Sequence, residues 1–128
     1  MTANIQSERF CLAIHTSEIH GNGLFAEQDI PADALIYESD EYTVTQVARY
    51  GSIQRTPTDH IMQKLLRWEN HSCVPNTKLH FDGPNVQLIA TKHILVGQEI
   101  ACDYRQTEDS IPKPFQCNCG RCSGIIVK

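Results

Sequence analysis

Asn70-His71-Ser72-Cys73-Val74-Pro75-Asn76 packs two amides, an imidazole, a hydroxyl and a thiol into seven residues. Pro75 lacks a backbone N–H and steers Val74 away from helical angles, so the stretch reads as a loop. It is richer in ligand-type groups than a solvent turn requires, because Gly, Asn, Asp or Ser alone makes such a turn. Taken by itself it is equally a capped turn after the apolar run before it. The rest of the chain decides between the two.

With 128 residues, 41% of them hydrophobic and 20% charged, the chain fits one domain with a single core. A net charge of −4 and the absence of any Lys/Arg run argue against a general electrostatic grip on nucleic acid. No apolar stretch approaches the about 18 residues of a membrane span, and the N-terminal residues lack the layout of a signal peptide. The expectation is an intracellular chain with no direct nucleic-acid or membrane partner. Six cysteines could form disulfides in a secreted protein, but three within six residues of an intracellular chain read better as metal ligands.

Phe10 to Ile14 is an apolar run of strand length, and Gly21-Asn22-Gly23-Leu24-Phe25-Ala26 follows as a turn entering a strand, with glycines that permit positive φ or close approach of a ligand. Residues 30–34 read as a turn, and Leu35 to Glu38 and Tyr42 to Val47 as strands with one buried and one wet face. Ile61, Met62, Leu65, Leu66 and Trp68 recur at helical spacing, which predicts a short helix over Asp59 to Trp68, capped by Thr58 or Asp59, with Trp68 as a core anchor. Leu79 to Phe81 and Val86 to Ala90 flank Asp82-Gly83-Pro84-Asn85 as strand, turn, strand. Glu99 to Tyr104 reads as a last strand ending on the tyrosine, and Cys11 as a buried apolar residue. Short strands dominate, so the fold class is mostly β, built from small sheets.

The tail from Pro114 to Gly124 has too little apolar content to fold alone. Its Cys117-x-Cys119-x-x-Cys122 array supplies three thiols, and tetrahedral zinc needs a fourth ligand, for which Cys73 is the best candidate. Four thiolates with no open position make a structural site that pins the tail to the domain. Three reduced surface thiols are the plainer alternative.

Together these pieces resemble the SET-domain family of protein-lysine methyltransferases. Gly21 to Ala26 resembles G-x-G-L-F-A, Asn70 to Asn76 matches N-H-S-C-x-P-N, Glu99 to Tyr104 resembles E-[LI]-x-x-D-Y, and the tail resembles the post-SET zinc segment. The second motif is the specific one, and the four fall in family order. The resemblance implies a SET domain over residues 1–111 and a zinc-binding tail over 112–128. It implies several small sheets, a pseudoknot between the Asn-His-Ser-Cys loop and the last strand, S-adenosylmethionine in a pocket on one side and a lysine channel on the other. Carried over by position, Gly21, Gly23, Leu24, Phe25, Asn70, His71, Tyr104 and Phe115 contact the cofactor, and Tyr104 is the catalytic tyrosine. Cys102 lines the substrate channel, and Cys73, Cys117, Cys119 and Cys122 hold structural Zn2+.

Two departures stand out. Cys102 occupies a position where the family commonly carries Phe or Tyr, and the smaller thiol leaves room for multiple methylation. Glu69 stands where the family usually has an apolar or small residue, with no account available from sequence. The short stretch between Tyr42 and Leu66 gives little docking wall, so recognition of a protein substrate rests on few contacts, on a partner or on a homodimer. Rival readings are a SET-like fold that binds a small molecule or partner without methyl transfer, and a small zinc-stabilised interaction module.

Overall fold

Tight turns and short ladders build the fold, and their order follows from where the apolar residues alternate. The computed structural model describes residues 3–6, 9–111, 114–119 and 126–127. Its strands are β1 (Ala3–Gln6), β2 (Cys11–Thr16), β3 (Asn22–Ala26), β4 (Leu35–Ser39), β5 (Thr43–Thr45), β6 (Ile53–Thr56), β7 (Asp59–Met62), β8 (Asn70–His71), β9 (Thr77–Asp82), β10 (Asn85–Ala90), β11 (Glu99–Cys102), β12 (Phe115–Gln116) and β13 (Ile126–Val127). They form a five-stranded sheet in the order β1-β2-β3-β11-β8, two three-stranded sheets, β4-β10-β9 and β5-β7-β6, and the hairpin β12-β13. The mostly-β reading with several small sheets holds. No helix among the described residues is long and apolar enough to cross a membrane.

β10 shows the simplest logic: Val86, Leu88 and Ala90 are fully buried while Asn85, Gln87 and Ile89 between them are half-buried, as a period of two requires. It pairs with β9 in unbroken register, Asn85 to Asp82 through Ala90 to Thr77. The two-residue loop turns on Gly83, whose φ of 58° suits the first central position of a II′ hairpin, with Pro84 second. Leu12, Leu24, Ile36, Ile61, Leu65 and Ile100 join these residues in one core.

The helix expected over Asp59 to Trp68 is instead strand β7 followed by a single 3-10 turn, Leu66–Trp68. Asp59 caps a hairpin turn: its N–H donates to Thr56 Oγ1 at 3.1 Å, and Arg55 donates to its Oδ2 at 2.6 Å. Ile61 then pairs with both Val44 and Ile53, and its burial is satisfied by sheet packing. Gln63 Oε1 accepts from the N–H groups of Leu65 and Leu66 and starts the 3-10 turn. The apolar residues at helical spacing thus serve two elements, a case of tertiary pairing overriding local pattern. Trp68 packs half-buried against the core, with the Arg67 guanidinium 5.1 Å from its ring.

Two smaller expectations also fail. Cys11 is exposed, because β2 turns Leu12, Ala13 and Ile14 inward and leaves its first residue outside. Tyr104 does not end a strand: β11 stops at Cys102, and Tyr104 opens a 3-10 turn, Tyr104–Gln106, whose preceding Asp103 accepts from the Arg105 N–H.

β11 is the strand around which the polar segment closes. It runs antiparallel to β3 and parallel to β8, pairing Ala101 with Asn70 and Cys102 with His71. Beyond β8 the chain returns to the same strand. Ser72 N–H donates to Cys102 O, Asn76 N–H and Thr77 Oγ1 donate to Ala101 O, and the Asn76 side chain bridges Glu99 O and Ala101 N–H at 2.8 and 3.0 Å. One amide side chain therefore stands in for a stretch of strand backbone. This is the local form of the expected pseudoknot.

Candidate active site and thiol cluster

β8 and the residue before it carry the site. Asn70 is buried, and its Nδ2 donates to His20 O, Asn22 O and Glu99 Oε2 at 3.0, 3.2 and 2.8 Å. Glu99 in turn accepts from Ser17 Oγ at 2.6 Å through its other oxygen. Gly23 sits against this pair: a Cβ there would collide with the Glu99 carboxylate and stand 3.0 Å from Asn70 Nδ2. The glycine is required by the protein's own packing.

His71 is 2% exposed, and its Nδ1 accepts the Tyr104 N–H at 3.0 Å. The ring is therefore neutral with its proton on Nε2. Burial holds its pKa below the ordinary value, with Asp103 pulling the other way. Asp103 stays ionised because Arg105 donates to both of its oxygens, at 2.9 and 2.6 Å.

Tyr104 donates its hydroxyl to Glu69 O at 2.7 Å. Burial raises its pKa far above the usual phenol range, so the hydroxyl keeps its proton. His71, Tyr104 and Phe115 form an edge-to-face trio with ring centroids 5.2 to 6.1 Å apart.

Glu69 itself is 3% exposed. Its Oε2 shares the single Thr77 hydroxyl proton with Ala101 O, while Oε1 is closed off from solvent and has no N–H or O–H donor among the described residues. Burial pushes the carboxyl up to about 7, opposed by Thr77 and by the nearby Cys102 thiol. Cys102 is 5% exposed, and its thiol is raised by burial and by Glu69. The room expected beside the small Cys102 is therefore shared with the Glu69 carboxyl.

These groups face a partly open cavity of about 660 Å3. Its lining includes residues 19–22, 49–53 and 66–71, Cys102 and Tyr104, and residues 114–116 and Asn118 of the tail. Apolar walls with a few convergent polar groups are what a small-molecule pocket needs. A second hollow of about 540 Å3, near His60 and Asp109, shares only Ile111 with it.

Behind His71, the ligand atoms of His71, Cys73 and Cys117 lie within 4.8 Å of one another. The sulfurs of Cys73 and Cys117 are 3.2 Å apart, and His71 Nε2 is 3.7 Å from Cys73 Sγ. The grouped sulfurs are soft donors of the kind that hold a metal ion, and the protonated Nε2 of His71 faces them as a hydrogen-bond donor. Cys119 is half-buried in the same tail segment, and Cys122 lies outside the described residues. The tail is also tied down by Asn118 Nδ2 donating to Ile19 O and by the pairing of Phe115 with buried Val127.

Among the residues singled out from sequence, Gly21, Asn70, His71, Cys102, Tyr104 and Phe115 line the cavity. Gly23, Leu24 and Phe25 do not. Leu24 is in the core, and Phe25 stacks on His15 with ring centroids 3.6 Å apart. Sequence reasoning passed over Glu99 and Asn76 as hydrogen-bonding centres, although both lie inside the quoted motifs. It had no account of Glu69.

The SET-domain family model matches residues 21–105, and the chain belongs to the SET-domain family. It is 25% identical over 144 residues to human histone-lysine N-methyltransferase 2B, covering 94% of this chain and 5% of that protein. It is 30% identical over 100 residues to methyltransferase flvH of Aspergillus flavus, covering 76% and 56%. Among solved structures it resembles KRYPTONITE in complex with mCHG DNA and SAH, at 27% identity and a TM-score of 0.72 over 91% of this chain and 29% of that one. A KRYPTONITE complex with mCHH DNA, H3(1-15) peptide and SAH gives 25% and 0.70, with the same coverage.

Proposed function

We propose that this chain transfers methyl groups from S-adenosylmethionine to the side-chain amine of a lysine in a protein substrate. The observation that carries the reading is the Tyr104 hydroxyl held on Glu69 O at the wall of a cavity of about 660 Å3, beside the Asn70-His71 strand. The SAH bound by KRYPTONITE and the histone-lysine methyltransferases among the relatives support it.

In this reading the cofactor occupies the part of the cavity bounded by Gly21, Asn70, His71 and Phe115, and Gly23, Leu24 and Phe25 act through the backbone of β3. Bound S-adenosylmethionine supplies an electrophilic sulfonium methyl. The chain must supply a neutral amine, alignment and exclusion of water. Burial favours the neutral amine by desolvation. Because Tyr104 keeps its proton, it orients the amine or the methyl by hydrogen bonding and does not act as a base. The Glu69 carbonyl adds a weak C–H acceptor for the methyl.

Structural zinc fits the sulfur donors. In this reading Cys73, Cys117, Cys119 and Cys122 hold it, and His71 Nε2–H donates to a thiolate from outside the ligand set. Residues 112–128 are then the zinc-bound tail of a domain spanning 1–111, in an intracellular protein whose substrate, partner or second copy completes the docking wall.

Incubating zinc-loaded protein with S-adenosylmethionine and a lysine-peptide library, read by mass spectrometry, tests this. Transfer that Tyr104→Phe lowers by about a hundredfold, with its fold intact, is the expected result. Wild-type protein that is folded and zinc-loaded but transfers nothing overturns it. Cofactor binding without transfer then favours a SET-like module that binds a small molecule or partner.

A further inference from the structure

The open hollow beside His60 is a feature that the proposed chemistry leaves unused. It holds about 540 Å3 and adjoins the catalytic cavity at Ile111, which lines both. Val47, Pro57 and Ile111 give it aliphatic walls, and Val47 is 67% exposed there. Among the described lining residues, Asp109 is the one carboxylate and none is Lys or Arg. A buried glutamine sets that carboxylate in place: Gln54 Nε2 donates to Asp109 Oδ2 at 2.7 Å, and the Asp109 N–H donates to Gln54 Oε1 at 2.6 Å. Glu108, on the cavity side, accepts the Gln54 N–H at 2.8 Å and fixes the same segment. Neither carboxylate has an ion-pair partner among the described residues. An anchored carboxylate beside aliphatic walls is complementary to arginine. The stem of that side chain covers apolar surface, and its weakly hydrated guanidinium meets the carboxylate. Lysine carries a compact, strongly hydrated ammonium and fits less well.

We propose that this hollow is a substrate subsite for an arginine close in sequence to the methylated lysine, with Asp109 as its receptor. The inference rests on the methyltransferase reading above and adds a specificity-determining residue to it. The lysine enters the cavity while the arginine lies across Ile111 in the hollow. An extended peptide advances about 3.3 Å per residue, so the arginine falls within about three positions of the lysine. Asp109 is exposed, so solvent screens the pair and the selection it gives is modest.

The test uses zinc-loaded protein and peptides in which a single arginine is moved through these positions around the lysine. At one position arginine should raise kcat/KM about fivefold over citrulline, which has the same shape without the charge, chiefly through KM. Asp109→Asn should erase that difference and leave turnover of the citrulline peptide unchanged, because the asparagine Oδ1 still accepts from Gln54. The advantage should also fade as salt is raised. Arginine and citrulline peptides that are equal at every position overturn the proposal, as does an advantage that a folded Asp109→Asn protein retains. In both cases methyl transfer by the wild type leaves the proposed function standing. Wild-type protein with no transfer to any peptide overturns both together.

Discussion

The β9–β10 hairpin and the β8–β11 crossing meet at Thr77 and are built on opposite rules. In the hairpin, Val86, Leu88 and Ala90 are buried at every second position and Gln87 and Ile89 between them are only half-buried. In the crossing, Glu69, Asn70, His71, Ser72, Thr77 and Asp103 are all buried. Burial of apolar surface stabilises the first. The second holds only because almost every buried polar atom finds a partner from a distant segment. A hairpin position can change without much consequence if it stays on its own side of the sheet, whereas the crossing fails one hydrogen bond at a time. This is the physical reason for placing function in the crossing, where polar groups from distant segments meet beside the cavity.

The largest break comes from Asn76→Ala. It strips partners from Glu99 O and Ala101 N–H together, and a loss of about 3 kcal/mol in urea unfolding is expected. A loss under about 0.5 kcal/mol would mean that the amide is no substitute for strand backbone.

Next in size is the pH dependence carried by Glu69. Its carboxyl is raised from an ordinary value of 4.5 to about 7, so between those pH values the folded chain binds more protons than the unfolded one. Stability then falls as pH rises through this window, by about 3 kcal/mol. His71 acts with the opposite sign. Its pKa is lowered by burial, so its contribution is present above its ordinary value of 6.5 and is lost as pH falls. Subtracting the Glu69→Gln stability curve from that of the wild type isolates the first slope. A difference that does not change between pH 4.5 and 7 would contradict it.

Gly23→Ala should cost about 1 to 2 kcal/mol, because the new methyl displaces the Glu99 carboxylate from Asn70. Thermal melting of the variant would show it. The smallest effect belongs to the hairpin. Gln87→Ala removes only an exposed contact with Glu38, and a change within about 0.5 kcal/mol is expected in the same urea assay. A larger loss there would erase the contrast between the two regions.

The same contrast explains what could be read from the sequence. The β9–β10 hairpin was legible because alternation and a Gly-Pro turn are local signals. Asn70 to Asn76 was legible only as a motif, since nothing nearby in the chain shows that Asn76 serves the backbone of Glu99 and Ala101. Residues Asp59 to Trp68 misled because their apolar spacing suits a helix, while the Thr56 and Arg55 contacts to Asp59 commit the segment to a hairpin. Glu69 had no account because its partners Thr77 and Cys102 reach it only through the crossing. Cys73 was matched to the tail cysteines because it lies in the other loop built for close packing, and its sulfur lies 3.2 Å from that of Cys117. His71 joins that group unannounced, because a histidine beside a motif asparagine gives no sign of the direction its Nε2 will face.

The central claim is that the cavity beside Asn70, His71 and Tyr104 is a cofactor site. Calorimetric titration of zinc-loaded protein with S-adenosylmethionine and S-adenosylhomocysteine tests it most directly. The account predicts saturable binding of both at one site per chain. Folded, zinc-loaded protein that takes up neither would contradict it.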